Sequence, residues 1–141
     1  MPVVNFHLVD GYCSVEQKHR LLKGASELYS QVLHAPMERV RALITLHGAD
    51  EFAVAGEVTG VNGLHAPFFE CIVLEGRSLH DRQALLSGFT ELLVEVLAVE
   101  RSLVRGRCIR VDPQDWSIGG QGADVLREQE IRERAAAGTG G

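Results

Sequence analysis

Residues 21–41, LLKGASELYSQVLHAPMERVR, recur 64 positions later as residues 85–105, LLSGFTELLVEVLAVERSLVR. The pairs Leu21/Leu85, Leu22/Leu86, Gly24/Gly88, Glu27/Glu91, Leu28/Leu92, Val32/Val96, Leu33/Leu97, Val40/Val104 and Arg41/Arg105 are identical. Self-similarity at a fixed offset is the mark of a duplicated unit. The same offset pairs Phe52 with Trp116, Val54 with Ile118 and Gly56 with Gly120. Toward the amino terminus the offset becomes 65, pairing Pro2 with Pro67 and Gly11 with Gly76, so one residue has entered near Tyr12 and Cys13.

Each copy reads strand, helix, strand. Val3–Val9 and Phe68–Leu74 are short runs rich in β-branched and aromatic residues, as buried strands are. A helix follows Gly11 and another follows Gly76. Leu21, Ala25, Leu28 and Val32 make an apolar stripe at helical spacing, and Leu85, Phe89, Leu92 and Val96 repeat it. Ser14 with Gln17 has the form of a capping box, and Ser78 with Asp81 is its weaker counterpart. Pro36 stands where the first helix must already have ended. Residues 40–46 and 103–111 supply the second strands.

A strand–helix–strand unit of this length implies a parallel pair joined by a crossover. Two such units predict an α/β fold: tandem β-α-β repeats forming a four-stranded mixed sheet with two helices on one face. The other face is then bare and expected to carry Val, Phe, Ile and Leu side chains, which calls for oligomerisation. The chain divides into repeat one at residues 2–60, a connector at 61–66, repeat two at 67–121 and a tail at 122–141, all in a single domain. The tail is expected to begin with a charged helix over residues 123–137 and to end disordered in Gly-Thr-Gly-Gly.

Composition narrows the function. A length of 141 residues suits one domain, and 45% apolar with 23% charged residues is ordinary for a globular protein. A net charge of −5 argues against nucleic acid as a partner but not against small anions, since a few arginines can focus in one pocket. Three cysteines (Cys13, Cys71 and Cys108) without C-x-x-C spacing speak against a disulfide framework and for a reducing compartment. The six histidines are scattered without ligand spacing, so neither a metal nor another cofactor is expected. No apolar run reaches the ~20 residues of a bilayer span, and no secretory signal precedes the first strand, so a cytoplasmic address is expected.

Taken in order, several landmarks resemble the tautomerase superfamily, and 4-oxalocrotonate tautomerase in particular. They are the Pro2 start, S-V-E-Q-K at 14–18, H-A-P-M-E-R-V-R-A-L-I-T at 34–45 and F-A-V-A-G-E at 52–57. The second copy adds L-E-G-R-S at 74–78 and W-S-I-G-G at 116–120. The run G-R-S-L-x-x-R-Q at 76–83 is also similar to 5-carboxymethyl-2-hydroxymuconate isomerase. The resemblance covers about residues 2–121 and implies a trimer of fused chains, an isomerase without cofactor, and a small anionic substrate.

It further implies that removal of Met1 frees the secondary amine of Pro2 as a general base. An ordinary α-amino pKa is about 7.7–8, and an apolar pocket beside cations lowers it. Pro67 holds the equivalent place, but its nitrogen is a tertiary amide and has no basic lone pair. One working site per chain is therefore expected. By the same resemblance Arg77 grips the substrate carboxylate, and Arg105, or its twin Arg41, polarises the carbonyl oxygen. Arg39 and Arg107 are added cations, Leu74 and Ile118 are apolar walls, and Trp116 keeps the pocket dry. The reaction implied is keto–enol tautomerisation of small 2-oxo or 2-hydroxy unsaturated acids. Two alternatives stand beside it. One is hydratase, dehalogenase or decarboxylase chemistry with a protonated Pro2, although the apolar Leu74 and Ile118 depart from the dehalogenase pattern. The other is a non-enzymatic trimer, for which Tyr12, Ala53 and Ala55 leave room.

Overall fold

The computed structural model describes residues 2–137; the fate of Met1 and the expectation for residues 138–141 lie outside the described residues. The main sheet has the order β2-β1-β5-β6, from β1 (Val3–Val9), β2 (Arg41–His47), β5 (Phe68–Leu74) and β6 (Arg105–Val111). β1 pairs with β2 in parallel, β5 pairs with β6 in parallel, and the two halves join antiparallel through β1 and β5. Helices α1 (Val15–Leu33) and α3 (Leu79–Leu97) pack on each other and cover one face. The fold is the mixed four-stranded α/β sheet that the repeat predicts.

Local chemistry explains why each helix starts and stops. Ser14 caps α1 in a complete capping box with Gln17, and the Ser78 side chain accepts from the Asp81 backbone N–H at the start of α3. Both helices end in a left-handed residue, His34 (φ 53°) and Ala98 (φ 55°). The glycine shared by the repeats has a packing cause. A Cβ on Gly24 would stand 2.8 Å from Leu92 Cδ1, and one on Gly88 would stand 2.6 Å from Leu28 Cδ2. Each helix thus lays a leucine over the other's glycine.

Between sheet and helices lies the core of Val4, Phe6, Leu8, Leu21, Ala25, Tyr29, Phe69, Val73, Leu85, Phe89 and Leu93. Tyr29 is wholly buried, yet its hydroxyl has work at the seam between the repeats. It lies 2.8 Å from the Val3 carbonyl and 3.0 Å from the Ile72 carbonyl, the end pair of the β1–β5 ladder, so its proton is shared between them. Burial first, and then the neighbouring Cys71 and Cys108 thiols, hold the phenol far above its usual range, so it stays neutral. Tyr29→Phe leaves both carbonyls without that donor and is expected to cost about 1–3 kcal/mol, read by urea denaturation.

The open sheet face carries more than the apolar side chains expected of it. Apolar residues such as Leu43, Phe68, Ile72 and Ile109 lie on it, but a polar strip crosses its middle. Asn5 Oδ1 accepts from Thr45 Oγ1 at 2.9 Å, and His7 Nδ1 meets His47 Nε2 at 2.8 Å. Glu70 takes a salt bridge from Arg107 at 2.6 Å and stands 3.5 Å from His7. The strands read as continuous apolar runs because their helix-facing residues dominate the composition; every second residue faces outward and includes these polar groups.

The equivalence of the repeats runs past residue 121. The hairpin of β3 (Ala53–Val54) and β4 (Glu57–Val58) leads into a single turn, α2 (Thr59–Asn62). The hairpin of β7 (Ser117–Ile118) and β8 (Gln121–Gly122) leads likewise into α4 (Ala123–Leu126). Thr59 N–H donates to the Phe52 carbonyl and Ala123 N–H to the Trp116 carbonyl, and both residues are fully buried. The helix expected over 123–137 is therefore broken at Arg127, and only α5 (Glu128–Ala137) lacks a counterpart in the first repeat. All three cysteines are free. No helix among the described residues is long and apolar enough to cross a membrane.

Candidate active site

The antiparallel seam brings the start of β1 beside the end of β5. Pro2 is buried there, in a narrow cleft whose walls include Leu33, Ala35, Val73, Leu74, Arg39 and Arg77. Arg77 follows Gly76, whose φ of 106° allows the turn that swings the arginine back over the strand ends. Its Nη1 donates to the Leu33 carbonyl at 3.0 Å, at the carboxyl end of α1 where the helix dipole favours a cation. Burial, with Arg134 beside it, lowers the Arg77 guanidinium to about 10, which leaves it charged at neutral pH.

Arg39 sits on the turn after Pro36, and both its Nη atoms donate to Glu130 of α5 at 3.1 Å. That pairing holds Glu130 below the usual carboxylate range. Arg127 and Arg134 complete the wall on the α5 side. Trp116 and Ile118 do not line the cleft itself. They border a wider groove with Val3 and Arg41 that shares Arg39 and Arg127 with the Pro2 cleft.

Arg41 is committed locally, its Nη1 donating to the Glu38 and Val40 carbonyls. Arg105 repeats that pattern with the Ser102 and Val104 carbonyls. It stands at the other end of the sheet, across β5 from Phe68, which in turn faces His7 of β1. Arg107 is paired with Glu70 on the open face. The chain by itself thus brings Pro2, Leu74, Arg77 and Arg39 together, places Arg41, Trp116 and Ile118 next door, and leaves Arg105 and Arg107 apart.

The pseudo-equivalent end of the sheet is built differently. Pro67 is buried, and its carbonyl accepts from Arg105 N–H at 3.1 Å, as the Pro2 carbonyl accepts from Arg41 N–H at 2.9 Å. Where the first cleft has Arg77, this end has Tyr12, whose ring lies 5.4 Å from that of His65. His65 Nε2 accepts from the Val9 N–H, and burial keeps the ring below its ordinary pKa. A neutral imidazole and a phenol stand in place of a cation.

A family model for tautomerase enzymes matches residues 2–62, the first repeat. A 2-hydroxymuconate tautomerase of Pseudomonas fluorescens is 42% identical over 57 residues, which cover 89% of that protein and 40% of this chain. The chain belongs to the tautomerase family. As a member it is an isomerase, and its duplicated architecture also has solved relatives. A fused 4-OT, solved as an asymmetric trimer, superimposes with a TM-score of 0.80 at 27% identity, covering 88% of this tautomerase and 98% of that chain. A chain solved after inactivation by 2-oxo-3-pentynoate gives 0.81 at 24% identity over the same shares, a likeness of fold.

The tail residues at the tautomerase cleft were not singled out by sequence reasoning, which left the role of the tail open. Their signal is nonetheless present: Arg127, Glu130 and Arg134 are spaced three and four apart, the spacing of one helix face.

Proposed function

We propose that this tautomerase, after loss of Met1, uses the secondary amine of Pro2 as general base in the keto–enol isomerisation of small 2-hydroxy or 2-oxo unsaturated acids. The observation that carries the reading is the placement of buried Pro2 in one cleft with Arg77, under the apolar Leu74 and Val73. An amine in such surroundings is neutral near pH 7 and suited to take a proton from the enol oxygen and return it to carbon. Arg77, held by the end of α1, offers its remaining N–H groups to the substrate carboxylate. Arg39 adds positive potential beside it. Trp116 and Ile118 shield the approach through the adjoining groove.

The cation facing the developing oxyanion is Arg41 if it comes from the same chain, through the adjoining groove. Arg105 and Arg107, at a distance from their own Pro2, serve this reaction only from a neighbouring chain. A homotrimer supplies such a neighbour and covers the open sheet face, and the trimeric fused 4-OT relative supports this arrangement. The second pseudo-site has an amide nitrogen, and Tyr12 where the first has Arg77, which supports one working site per chain.

Ultraviolet absorbance with 2-hydroxymuconate and phenylenolpyruvate as enols tests the activity, using protein whose intact mass shows loss of Met1. Ketonisation far above the buffer rate is expected. Buffer-rate behaviour in correctly processed protein would defeat the reading.

A further inference from the structure

The tail after the second hairpin closes the Pro2 cleft with charged groups that the pair of Pro2 and Arg77 does not need. Arg39, Arg77, Arg127 and Arg134 line this cleft with one carboxylate among them, that of Glu130, while Asp81 acts on Arg77 and Arg134 from outside the lining. Glu130 is gripped by both Nη atoms of Arg39, and Arg127 Nε lies 3.9 Å from it. At 3.9 Å that contact is no hydrogen bond, and both Arg127 Nε and Arg134 Nη1 are buried without a hydrogen-bond partner. Buried donors of this kind are costly unless something arrives to accept from them. The crowding of cations is felt at Arg77, whose guanidinium is lowered first by burial and then by Arg134.

We infer that Arg127 and Arg134 form a subsite for a second carboxylate of the substrate, and that Glu130 is the internal carboxylate occupying this region while the cleft is empty. The inference rests on the reading that Arg77 takes the first carboxylate. A substrate with carboxylates at both ends neutralises two of the cations that Glu130 leaves uncompensated and satisfies the two buried donors. A substrate with one carboxylate has no use for them. Specificity for dicarboxylates thus comes from Arg127 and from α5, the one element without a counterpart in the first repeat. Glu130 competes for the same arginines, so its charge sets how readily the second carboxylate enters.

Calorimetric binding decides this independently of turnover. The full chain is titrated with cis,cis-muconate, a dicarboxylate that lacks the enol, and with sorbate, its monocarboxylate counterpart. Arg127→Ala/Arg134→Ala is expected to weaken muconate at least 10-fold while sorbate stays within about 2-fold; Arg134→Lys, which keeps the charge, retains most of the muconate affinity. Glu130→Gln, with the competing charge removed, is expected to bind muconate several-fold more tightly. Equal losses for both ligands in the double variant, or no loss for either, would overturn the subsite. Unchanged or weaker muconate binding in Glu130→Gln would overturn the role of Glu130. If the proposed Pro2 chemistry is wrong, turnover is absent but these binding differences remain.

Discussion

Pro2→Ala is expected to lower kcat/KM for an enol acid by about 100-fold or more, while leaving the fold intact. General bases contribute about 10²–10⁴-fold. The variant keeps an α-amine once Met1 is removed, so its loss falls toward the lower end of that range. Alanine exchanges a secondary amine on a rigid ring for a primary amine on a freely rotating bond, and its smaller side chain leaves part of the buried site unfilled. The accompanying pH profile has a defined sign. The neutral amine is the active form, so kcat/KM rises as pH passes upward through the amine's pKa, below the ~7.7–8 of an ordinary terminus. Steady-state kinetics between pH 5 and 9 measures both effects. A variant with undiminished activity would place the base elsewhere.

Arg77→Ala should cost about 10–100-fold in kcat/KM, the value of a charged hydrogen-bonded pair of about 1.5–3 kcal/mol. Arg77 also ties the loop after β5 to the Leu33 carbonyl, so the alanine variant disturbs position as well as charge. Arg77→Lys separates the two. Lysine keeps the charge but loses the planar fork, so it should recover part of the activity and leave KM for the acid raised. Full recovery by lysine would mean that potential alone matters at this position. Thermal melts of both variants check that the loss is not one of folding.

Most of this architecture was legible because the duplication states it twice. The offset that pairs Leu21 with Leu85 also pairs Gly24 with Gly88, and those glycines prove to be the contact between the two helices. The position of Pro2 beside Arg77 was implied by the resemblance to tautomerases. It required the two copies to lie antiparallel, so that the first residue of one meets the last of the other, and the β1–β5 register provides that. What escaped was chemistry without a repeated partner. The carbonyl-bridging role of Tyr29 has no copy, because Leu93 stands at the matching place in α3. The polar strip through Asn5, His7 and Glu70 was hidden because alternation in a strand is drowned by the apolar residues between. Arg127, Glu130 and Arg134 lie beyond residues 2–121, which carry the resemblance; their spacing of three and four marks one helix face but does not say what that face meets.

Whether a free Pro2 amine does the chemistry can be read from covalent trapping. An acetylenic 2-oxo acid such as 2-oxo-3-pentynoate offers an electrophilic carbon to which an amine adds, forming an N–C bond while the amine proton passes to carbon. The whole reagent mass is therefore retained. A chain lacking Met1 is expected to gain one reagent mass, with the adduct on Pro2 by peptide mapping and activity falling in step. Retained Met1, or activity lost through labelling at any other residue, would contradict it.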